Sequence, residues 1–353
     1  MLNVIYMCDF SLDKTAGKNR ATRQKLEALG KKDNVSLSVY SVKGKRFSIM
    51  EIILNEFRVI LKAIRSKPDV IIARGVSGLF FQILKPFLNY KLVREVHAAG
   101  LEELKLLPFR GAKKGLAFLK LKISLWLDCK ADLRIFNHPK LMEWYVKKYK
   151  MKGDNCFVYN GFDSSSGSYI TQAEARKKFD IDRAINVLVF TGAASKWHGV
   201  DYLVNLQRCF NTHRDNVRIV CGGGAMTEYD PDGLCLNISP LDDEECADLI
   251  RAADACLLPV SDVRISPGSP LKLYDYMVNE RPIIAQSDQL GYSDEVAKFQ
   301  VGVSVDFRNT ETARIQIVEW LEDWQRGENR YPRCEASWSD RIDTWLVNIT
   351  AIL

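Results

Sequence analysis

Short apolar runs alternate with helical segments along almost the whole chain. The runs are too short for helices and are bounded by polar or turn residues, so they are predicted strands: residues 2–7, 35–40, 69–73, 91–97, 131–136 and 156–159, then 186–192, 216–222, 255–260, 281–286 and 301–307. Helical periodicity fills most of the intervals, for example residues 19–30, 49–66, 140–149, 200–210 and 244–253. This alternation predicts an α/β protein whose parallel sheets are covered by helices on both faces.

The length of 353 residues is sufficient for about two packed domains of ordinary size. The turn-rich segment NGFDSSSGS, residues 160–168, separates two series of alternating strands and helices. We therefore expect two Rossmann-like domains that are joined near residues 160–180.

The N-terminal sequence MLNVIYMCDF lacks the basic segment of a signal peptide, and Asn3 and Asp9 interrupt its apolar run. No stretch approaches the roughly 20 apolar residues that a membrane-spanning helix requires. Nine cysteines are scattered singly without a CxxC pair, which is typical of reduced thiols in a cytosol. These features predict a soluble protein that stays in the cytoplasm.

Charge is distributed unevenly between the two halves. Residues 1–180 contain 34 lysines and arginines against 17 acidic residues, whereas residues 181–353 contain 16 against 27. Residues 107–127 interleave cations with leucine, phenylalanine and tryptophan, a pattern that suits an anionic membrane surface. It suits a solvated helix face equally well. Nucleic acid is not an expected partner, because no nucleic-acid-binding motif accompanies the charge.

Ligands of doubly wound sheets bind beyond the carboxyl ends of the strands, so the loops that follow predicted strands are candidate sites. Four of these loops contain glycine or small polar residues that could approach an anion: the loop with Gly17, the segment that begins at His97, the segment AASKWHG after Gly192, and the turn GGGAM that begins at Gly222.

Several common site types are absent from the sequence. Neither the dinucleotide fingerprint GxGxxG after a strand nor the P-loop GxxxxGK[ST] occurs, which argues against a standard dehydrogenase or P-loop NTPase. RGVSG, residues 74–78, lacks the spacing of a serine-hydrolase elbow. The four histidines are not paired at metal-ligand spacing, so no metal site is predicted.

The segment SPLKLYDYM, residues 269–277, predicts a helix that begins near Leu271, with Ser269 as its N-cap and Pro270 as its first residue. Lys272 is unfavourable to the helix dipole by itself, which makes sense if a phosphate lies at the helix N-terminus. Asp275 lies on the same side of the helix and could bind the hydroxyl groups of a ribose. An ordinary capped helix with an internal Lys272–Asp275 pair explains the same residues.

The segment also resembles the SPxKxxEYMAxGxPVVA motif of the family 4 retaining glycosyltransferases. Other landmarks of that family follow in the same order over nearly the whole chain: the opening strand, loop and helix at 2–29, REVHAAG at 94–100, VYNGFD at 158–163, VFTGAASKWHGVDYLV at 189–204, CGGGAM at 221–226 and ASWSDRIDTWL at 336–346.

The resemblance implies the GT-B fold, in which two facing Rossmann-like domains form an interdomain cleft and a C-terminal helix returns to the N-terminal domain. Its boundaries would be an acceptor-binding domain at 1–165, a nucleotide-sugar-binding domain at 166–335 and the returning helix at 336–353. The implied reaction retains anomeric configuration and needs neither a metal nor a cofactor.

Carried over to this chain, the motif implies that Asp275 accepts hydrogen bonds from the donor ribose. The diphosphate would be held by the backbone around Ser269, Pro270 and Leu271 together with Lys272. Two further residues belong to the other domain in this scheme. Gly17 would approach the diphosphate, and His97 would lie near the transferred sugar.

The chain departs from the family pattern at the diphosphate. Ala193 and His198 stand where the family usually has an arginine and a lysine, with Lys196 two positions before His198, and Pro267 replaces the first of two paired glutamates. A lost charged hydrogen bond costs about 1.5–3 kcal/mol. Arg264 and Lys196 are the candidates for compensation.

The leading hypothesis is a cytoplasmic glycosyltransferase that uses a nucleotide-diphosphate sugar and a glycan or lipid-linked acceptor in bacterial surface polysaccharide assembly. A peripheral position on an anionic membrane surface follows from the basic N-terminal half. The alternatives are a non-catalytic GT-B-like subunit, favoured by the departures at Ala193 and Pro267, and a sugar-nucleotide epimerase.

Overall fold

The computed structural model describes residues 1–13, 17–42, 49–107, 110–224, 226–326 and 336–353. The chain divides into two compact units. The first comprises Met1–Gly161, Ser266–Ser269 and Ala336–Leu353, and the second comprises Phe162–Ile265 and Pro270–Glu335.

The first unit is built on a six-stranded parallel sheet in the order β2-β1-β3-β4-β5-β6. Its strands are β1 (Leu2–Cys8), β2 (Val35–Ser41), β3 (Val70–Arg74), β4 (Lys91–Val96), β5 (Leu133–Phe136) and β6 (Asp154–Phe157). Its helices are α1 (Gly17–Gly30), α2 (Ile49–Ser66), α3 (Leu79–Leu84), α4 (Gly100–Glu103), α5 (Gly111–Lys130), α6 (Pro139–Tyr149) and the C-terminal α13 (Trp338–Thr350).

Strand β1 is buried on both faces, which explains its continuous apolar sequence. Val4 and Tyr6 point into a cluster that also contains side chains of α1 and α13. Ile5 and Met7 point the other way, into a cluster formed with α2 and α3. The C-terminal helix α13 is therefore part of the core of the first unit.

The second unit repeats the architecture with the sheet order β12-β11-β10-β7-β8-β9, again with parallel pairing throughout. Its strands are β7 (Asn186–Gly192), β8 (Val217–Gly223), β9 (Leu236–Ile238), β10 (Ala255–Leu258), β11 (Ile283–Gln286) and β12 (Gly302–Val305). Its helices are α7 (Gln172–Lys178), α8 (Val200–His213), α9 (Asp243–Ala252), α10 (Leu271–Val278), α11 (Tyr292–Phe299) and α12 (Thr310–Gln325).

The predicted α/β class is confirmed, and each predicted strand is present with ends within two residues of the prediction. The prediction omitted β9, because its sequence LNI is too short to form an apolar run. Helix α10 begins at Leu271 as predicted, but its N-cap differs by one residue from the prediction. Pro270, with ψ 127°, is extended and occupies the N-cap position that was predicted for Ser269.

Candidate functional site

The sheet order of the second unit defines where a ligand should bind. Strands β7 and β10 are neighbours at its centre, β8 and β9 continue on one side, and β11 and β12 continue on the other. This reversal is a topological switch point, and ligands of doubly wound sheets bind there, beyond the carboxyl ends of the strands. The loop after β7 leads to α8, and the loop after β10 leads to α10.

Lys272 lies in the first turn of α10, and its ammonium group has two close neighbours from the β7 side of the switch point. Nζ donates a hydrogen bond to Nε2 of His198 at 3.1 Å. It also lies 4.9 Å from the centre of the Phe190 ring, which is a cation–π distance. An aromatic face and an imidazole orient the ammonium group without neutralising its charge.

Gly192, the last residue of β7, makes this position of Lys272 possible. Its φ of +119° belongs to the region that favours glycine. A Cβ atom at residue 192 would lie 2.7 Å from Cε of Lys272. The Lys272 side chain therefore passes directly over Gly192, and the absence of a side chain at residue 192 leaves room for it.

His198 is neutral and its tautomer is fixed by its partners. Nδ1 lies 2.7 Å from the carbonyl oxygen of Ala193, which can only accept, so Nδ1 carries the proton. Nε2 is then the lone pair that accepts from Lys272. Burial and the adjacent Lys272 charge lower the pKa of His198 to about 3. His198 is therefore a positioning residue for Lys272 and not a second cation.

Burial lowers the pKa of Lys272 to about 8. The negative charge of Asp275 acts in the opposite direction, and the positive charge of Arg264 acts in the same direction as burial. Arg264 thus lies within electrostatic range of Lys272, and its guanidinium lies 5.4 Å from the centre of the Tyr292 ring. The basic character of this region is consequently greater than one lysine would give.

The N-terminus of α10 has the properties of an anion site. Pro270 is its N-cap residue and cannot accept a hydrogen bond with its side chain, so the backbone N–H of Leu271 is not capped by it.

Tyr276 fixes helix α10 against both central strands. Its hydroxyl accepts a hydrogen bond from N of Thr191 at 3.1 Å and donates one to O of Leu257 at 3.3 Å.

The other predicted donor residues of the second unit have different surroundings. Gly222 makes room for the side chains of Leu249 and Leu241, which is a packing role. Its neighbour Gly224 is the residue that approaches the β7 loop, because a Cβ atom there would lie 2.8 Å from Cα of Ala193. Lys196 begins a short 3-10 turn, and the position of its side chain lies outside the described atoms.

His97 belongs to the first unit, where it follows β4 and joins a buried polar network. Nε2 lies 3.3 Å from Oε1 of Glu95. The Glu95 carboxylate also forms an ion pair with Lys25 and accepts a hydrogen bond from the hydroxyl of Tyr6 at 2.5 Å. Burial alone would raise the pKa of Glu95, but Lys25 and His97 hold it well below its usual value. Burial and the charge of Arg74 lower the pKa of His97 to about 4.

The charged Glu95 can only accept, so His97 donates through Nε2 and keeps its Nδ1 lone pair for another donor. The sequence prediction missed Glu95 and Lys25. The signal for Glu95 is its spacing, because residues i and i+2 of a strand share a face and Glu95 precedes His97 by two residues.

Polar side chains from neighbouring strand ends surround His97. Asn137 follows β5 and donates to the carbonyl oxygen of His97 at 3.3 Å, and together with Asn160, which follows β6, it lines a small cavity beside His97. Asn160 donates to the carbonyl oxygen of Ser269 at 3.3 Å, so Ser269 is held in the first unit. Gly17 begins α1 and is exposed.

One group of side chains in the described residues has metal-ligand spacing. Cys209 and His213, four residues apart on α8, lie with Glu311 of α12 so that their ligand atoms are within 4.8 Å of one another. The sequence prediction missed it because Glu311 is remote in sequence. The thiol lies 3.1 Å and the imidazole 3.2 Å from the same carboxylate oxygen, so hydrogen bonds also account for the arrangement.

No protein-family model matches the chain, and no curated protein is significantly similar to it. Solved structures are similar over essentially the full length. The catalytic domain of starch synthase IV from Arabidopsis thaliana, bound to ADP and acarbose, has a TM-score of 0.70 and 11% identity, with 99% of each chain covered.

HepE from Anabaena, in complex with UDP-glucose, has a TM-score of 0.63 and 15% identity, with 100% of this chain and 97% of that chain covered. WaaG, a glycosyltransferase involved in lipopolysaccharide biosynthesis, has a TM-score of 0.63 and 13% identity, with 99% and 98% covered. This protein therefore has the GT-B glycosyltransferase fold.

Proposed function

We propose that this protein is a glycosyltransferase that moves a sugar from a nucleotide-diphosphate sugar to a glycan or lipid-linked acceptor. The observation that carries the proposal is the oriented Lys272 ammonium group beside the side-chain-uncapped N-terminus of α10, at the switch point of a GT-B fold. The similarity to structures that contain ADP, UDP and UDP-glucose supports a nucleotide donor.

Lys272 and the first N–H groups of α10 bind the donor diphosphate in this proposal. When the bond between the sugar C1 and the phosphate oxygen breaks, negative charge develops on the leaving diphosphate. A positioned cation and helix N-terminus stabilise that charge more than they stabilise the bound donor, which lowers the barrier. Arg264 adds to the positive potential, and Asp275 accepts hydrogen bonds from the ribose.

Two residues of the first unit also have a role in this proposal. The neutral His97 uses its Nδ1 lone pair to accept a hydrogen bond from a hydroxyl group of the transferred sugar, and Gly17 allows close approach of the backbone to the donor. The acceptor oxygen forms the new bond to C1 on the face that the phosphate leaves, and its proton passes to the departing phosphate oxygen. Configuration is thereby retained, and no metal or cofactor is required.

The biological setting that we propose is surface polysaccharide assembly at the cytoplasmic face of a membrane. Its support is the basic first half of the chain and the eight free cysteines of the described residues. No helix of the described residues is long and apolar enough to cross a membrane.

Donor turnover tests the proposed function. The full chain is incubated with UDP-, GDP- and ADP-sugars, and hydrolysis in the absence of acceptor is followed by NMR, which also reports the first anomer released. We expect slow release with retained configuration from one donor class, and loss of that activity in Lys272→Ala but not in Lys177→Ala, an exposed lysine of α7. Equal turnover by both variants would contradict the site.

A second candidate function is a non-catalytic nucleotide- or glycan-binding subunit. His198 favours it, because a neutral imidazole stands where the family 4 pattern that the sequence resembles has a lysine, and Pro267 stands where that pattern has a glutamate. Nucleotide binding without turnover of any donor in the panel would support this function, and turnover by the purified chain would exclude it.

A further inference from the structure

Helix α2 carries an exposed apolar stripe that its own unit leaves uncovered. Leu54, Phe57, Leu61 and Ile64 follow the spacing of one helix face and are 50–61% exposed. A surface helix of a globular protein normally turns such a face towards the core. Here α2 uses a different face for the core, because Val59 and Ala63 are the residues that pack beneath it.

Helix α5 carries a similar stripe. Leu116, Leu119 and Trp126 share a face and are 44–56% exposed, with Phe118 beside them at 49%. The buried pair of Asp128 with Arg94 of β4 anchors the C-terminal end of the helix, so the exposure does not come from an undocked helix. Two well-anchored helices of the same unit therefore present apolar faces to the surroundings.

The two stripes belong to one continuous surface, because an apolar cavity joins them. Its volume is about 190 Å³, and α2, α3 and α5 line it with Ile52, Ile53, Leu79, Phe80, Leu119 and Ile123. The rings of Phe57 and Phe80 lie 5.3 Å apart at its edge. An apolar cavity of this volume is large enough for a small apolar group. We call this surface, from Leu54–Ile64 to Leu116–Trp126, the α2–α5 face.

The exposed charged residues of α2 and α5 are all cationic. Arg58, Lys62 and Arg65 of α2 are exposed, as are four lysines of α5, namely Lys113, Lys114, Lys122 and Lys130. The acidic residues of these helices are less exposed: Glu51 of α2 is half-buried, Glu56 is buried and accepts from the first backbone N–H groups of α3, and Asp128 pairs with Arg94.

This charge pattern decides between two occupants of the α2–α5 face. A second copy of the chain in a two-fold contact would bring the same cations against each other. An anionic lipid surface would neutralise them, while the apolar stripes and aromatic rings enter the acyl region. We propose that the α2–α5 face binds an anionic membrane surface and that the cavity accepts a short segment of a lipid chain.

The proposal deepens the proposed function by assigning its membrane contact, and it rests on that function only in placing the acceptor in the membrane. The test is flotation of the full chain with vesicles of phosphatidylcholine alone or mixed with phosphatidylglycerol. We expect binding to the mixed vesicles only, decreasing with salt. Absence of binding to the mixed vesicles would overturn the proposal, as would equal binding to both compositions.

Two variant pairs locate the contact. Lys113→Glu/Lys114→Glu/Lys122→Glu and Phe57→Ser/Leu119→Ser should each lower vesicle binding at least tenfold. The matched controls are Lys147→Glu/Lys150→Glu/Lys152→Glu and Ile315→Ser/Val347→Ser, which change equally exposed residues elsewhere and should bind as the wild type does. Circular dichroism melting confirms that each variant is folded. Unchanged binding in the α2–α5 variants would overturn the proposal.

Two further measurements separate the alternatives. Sedimentation velocity without lipid tests self-association, and a dimer that Phe57→Ser/Leu119→Ser dissociates would overturn the proposal in favour of a second copy. Donor turnover in solution separates this proposal from the proposed function. Variants that lose vesicle binding but hydrolyse donor normally support both, whereas vesicle binding by a chain without turnover supports the membrane contact alone.

Discussion

The ammonium group of Lys272 donates to Nε2 of His198 at 3.1 Å, and this contact connects the two loops of the switch point in the second unit. His198 is neutral because its pKa is lowered to about 3. The imidazole therefore orients the lysine by accepting a hydrogen bond from it and adds no charge of its own. A site remains with one oriented cation beside a helix N-terminus that its N-cap side chain does not cap, and both features suit a diphosphate.

Donor binding should weaken in alkaline solution. The pKa of Lys272 is lowered to about 8, so the ammonium group loses its proton as the pH rises through that value. The association constant should be constant below pH 7 and fall by up to tenfold per pH unit above pH 8. Calorimetric titrations between pH 6 and pH 9.5 would measure this. Lys272→Arg should bind without the alkaline decrease, and an unchanged decrease in that variant would contradict the assignment.

Removal of the imidazole acceptor should shift the pH at which donor binding weakens. His198→Phe deletes a hydrogen bond that favours the charged form of Lys272, so we expect the midpoint of donor binding to shift below pH 8. A merely structural role for His198 would weaken binding at every pH without moving the midpoint. The same calorimetric series distinguishes the two outcomes.

Gly192→Ala should impair the site more than a typical glycine substitution. The new Cβ atom would displace the Lys272 side chain, and the positive φ would add strain of about 1–3 kcal/mol. We expect at least a tenfold loss of donor affinity together with a lower melting temperature.

The matched control is Gly233→Ala in the same unit. Gly233 also has a positive φ, of +64°, but no atom lies within 4 Å of its Cβ position. The Gly233→Ala variant should lose some stability and keep the donor affinity of the wild type. Equal donor affinities in the two variants would show that the position of Lys272 does not depend on Gly192.

The protein should lose stability in mild acid. The pKa values of His97 and His198 are lowered to about 4 and about 3, whereas an unfolded histidine titrates near 6.5. Between those values the unfolded chain binds protons that the folded chain does not, so stability falls as the pH decreases below about 6.5. Each histidine should account for roughly 1–2 kcal/mol at pH 5.

Urea unfolding at pH 7 and pH 5 measures that loss. His97→Gln and His198→Gln should each reduce the difference between the two pH values. A difference that persists in the double variant His97→Gln/His198→Gln would show that other groups cause it.

The central strands of both sheets were predictable from sequence because they are largely buried on both faces and therefore read as short apolar runs. β9 was not, since three residues with only partial burial leave no run to detect. The sequence prediction named Lys272 and His198 as donor-binding residues, and the structure brings their side chains into contact. The role of His198 as an acceptor for Lys272 depends on a contact across 74 residues, which periodicity and spacing do not encode.

The network around His97 shows the same limit. The spacing of Glu95 and His97 on one strand face could have indicated their pairing, but the ion pair with Lys25 joins residues 70 positions apart. The apolar stripe of α2 was visible as a helical period, and only the structure shows that this face points away from the core. Local pattern predicts which elements form, and tertiary packing decides which of their faces are used.

The central claim is that Lys272 binds the diphosphate of a nucleotide-sugar donor. Calorimetry with the preferred nucleoside diphosphate and with its nucleoside, for wild type and Lys272→Ala, tests it most directly. We predict that Lys272→Ala weakens diphosphate binding by about 1.5–3 kcal/mol, roughly tenfold to a hundredfold, and leaves nucleoside binding unchanged. Equal losses for both ligands, or no loss for either, would contradict the claim.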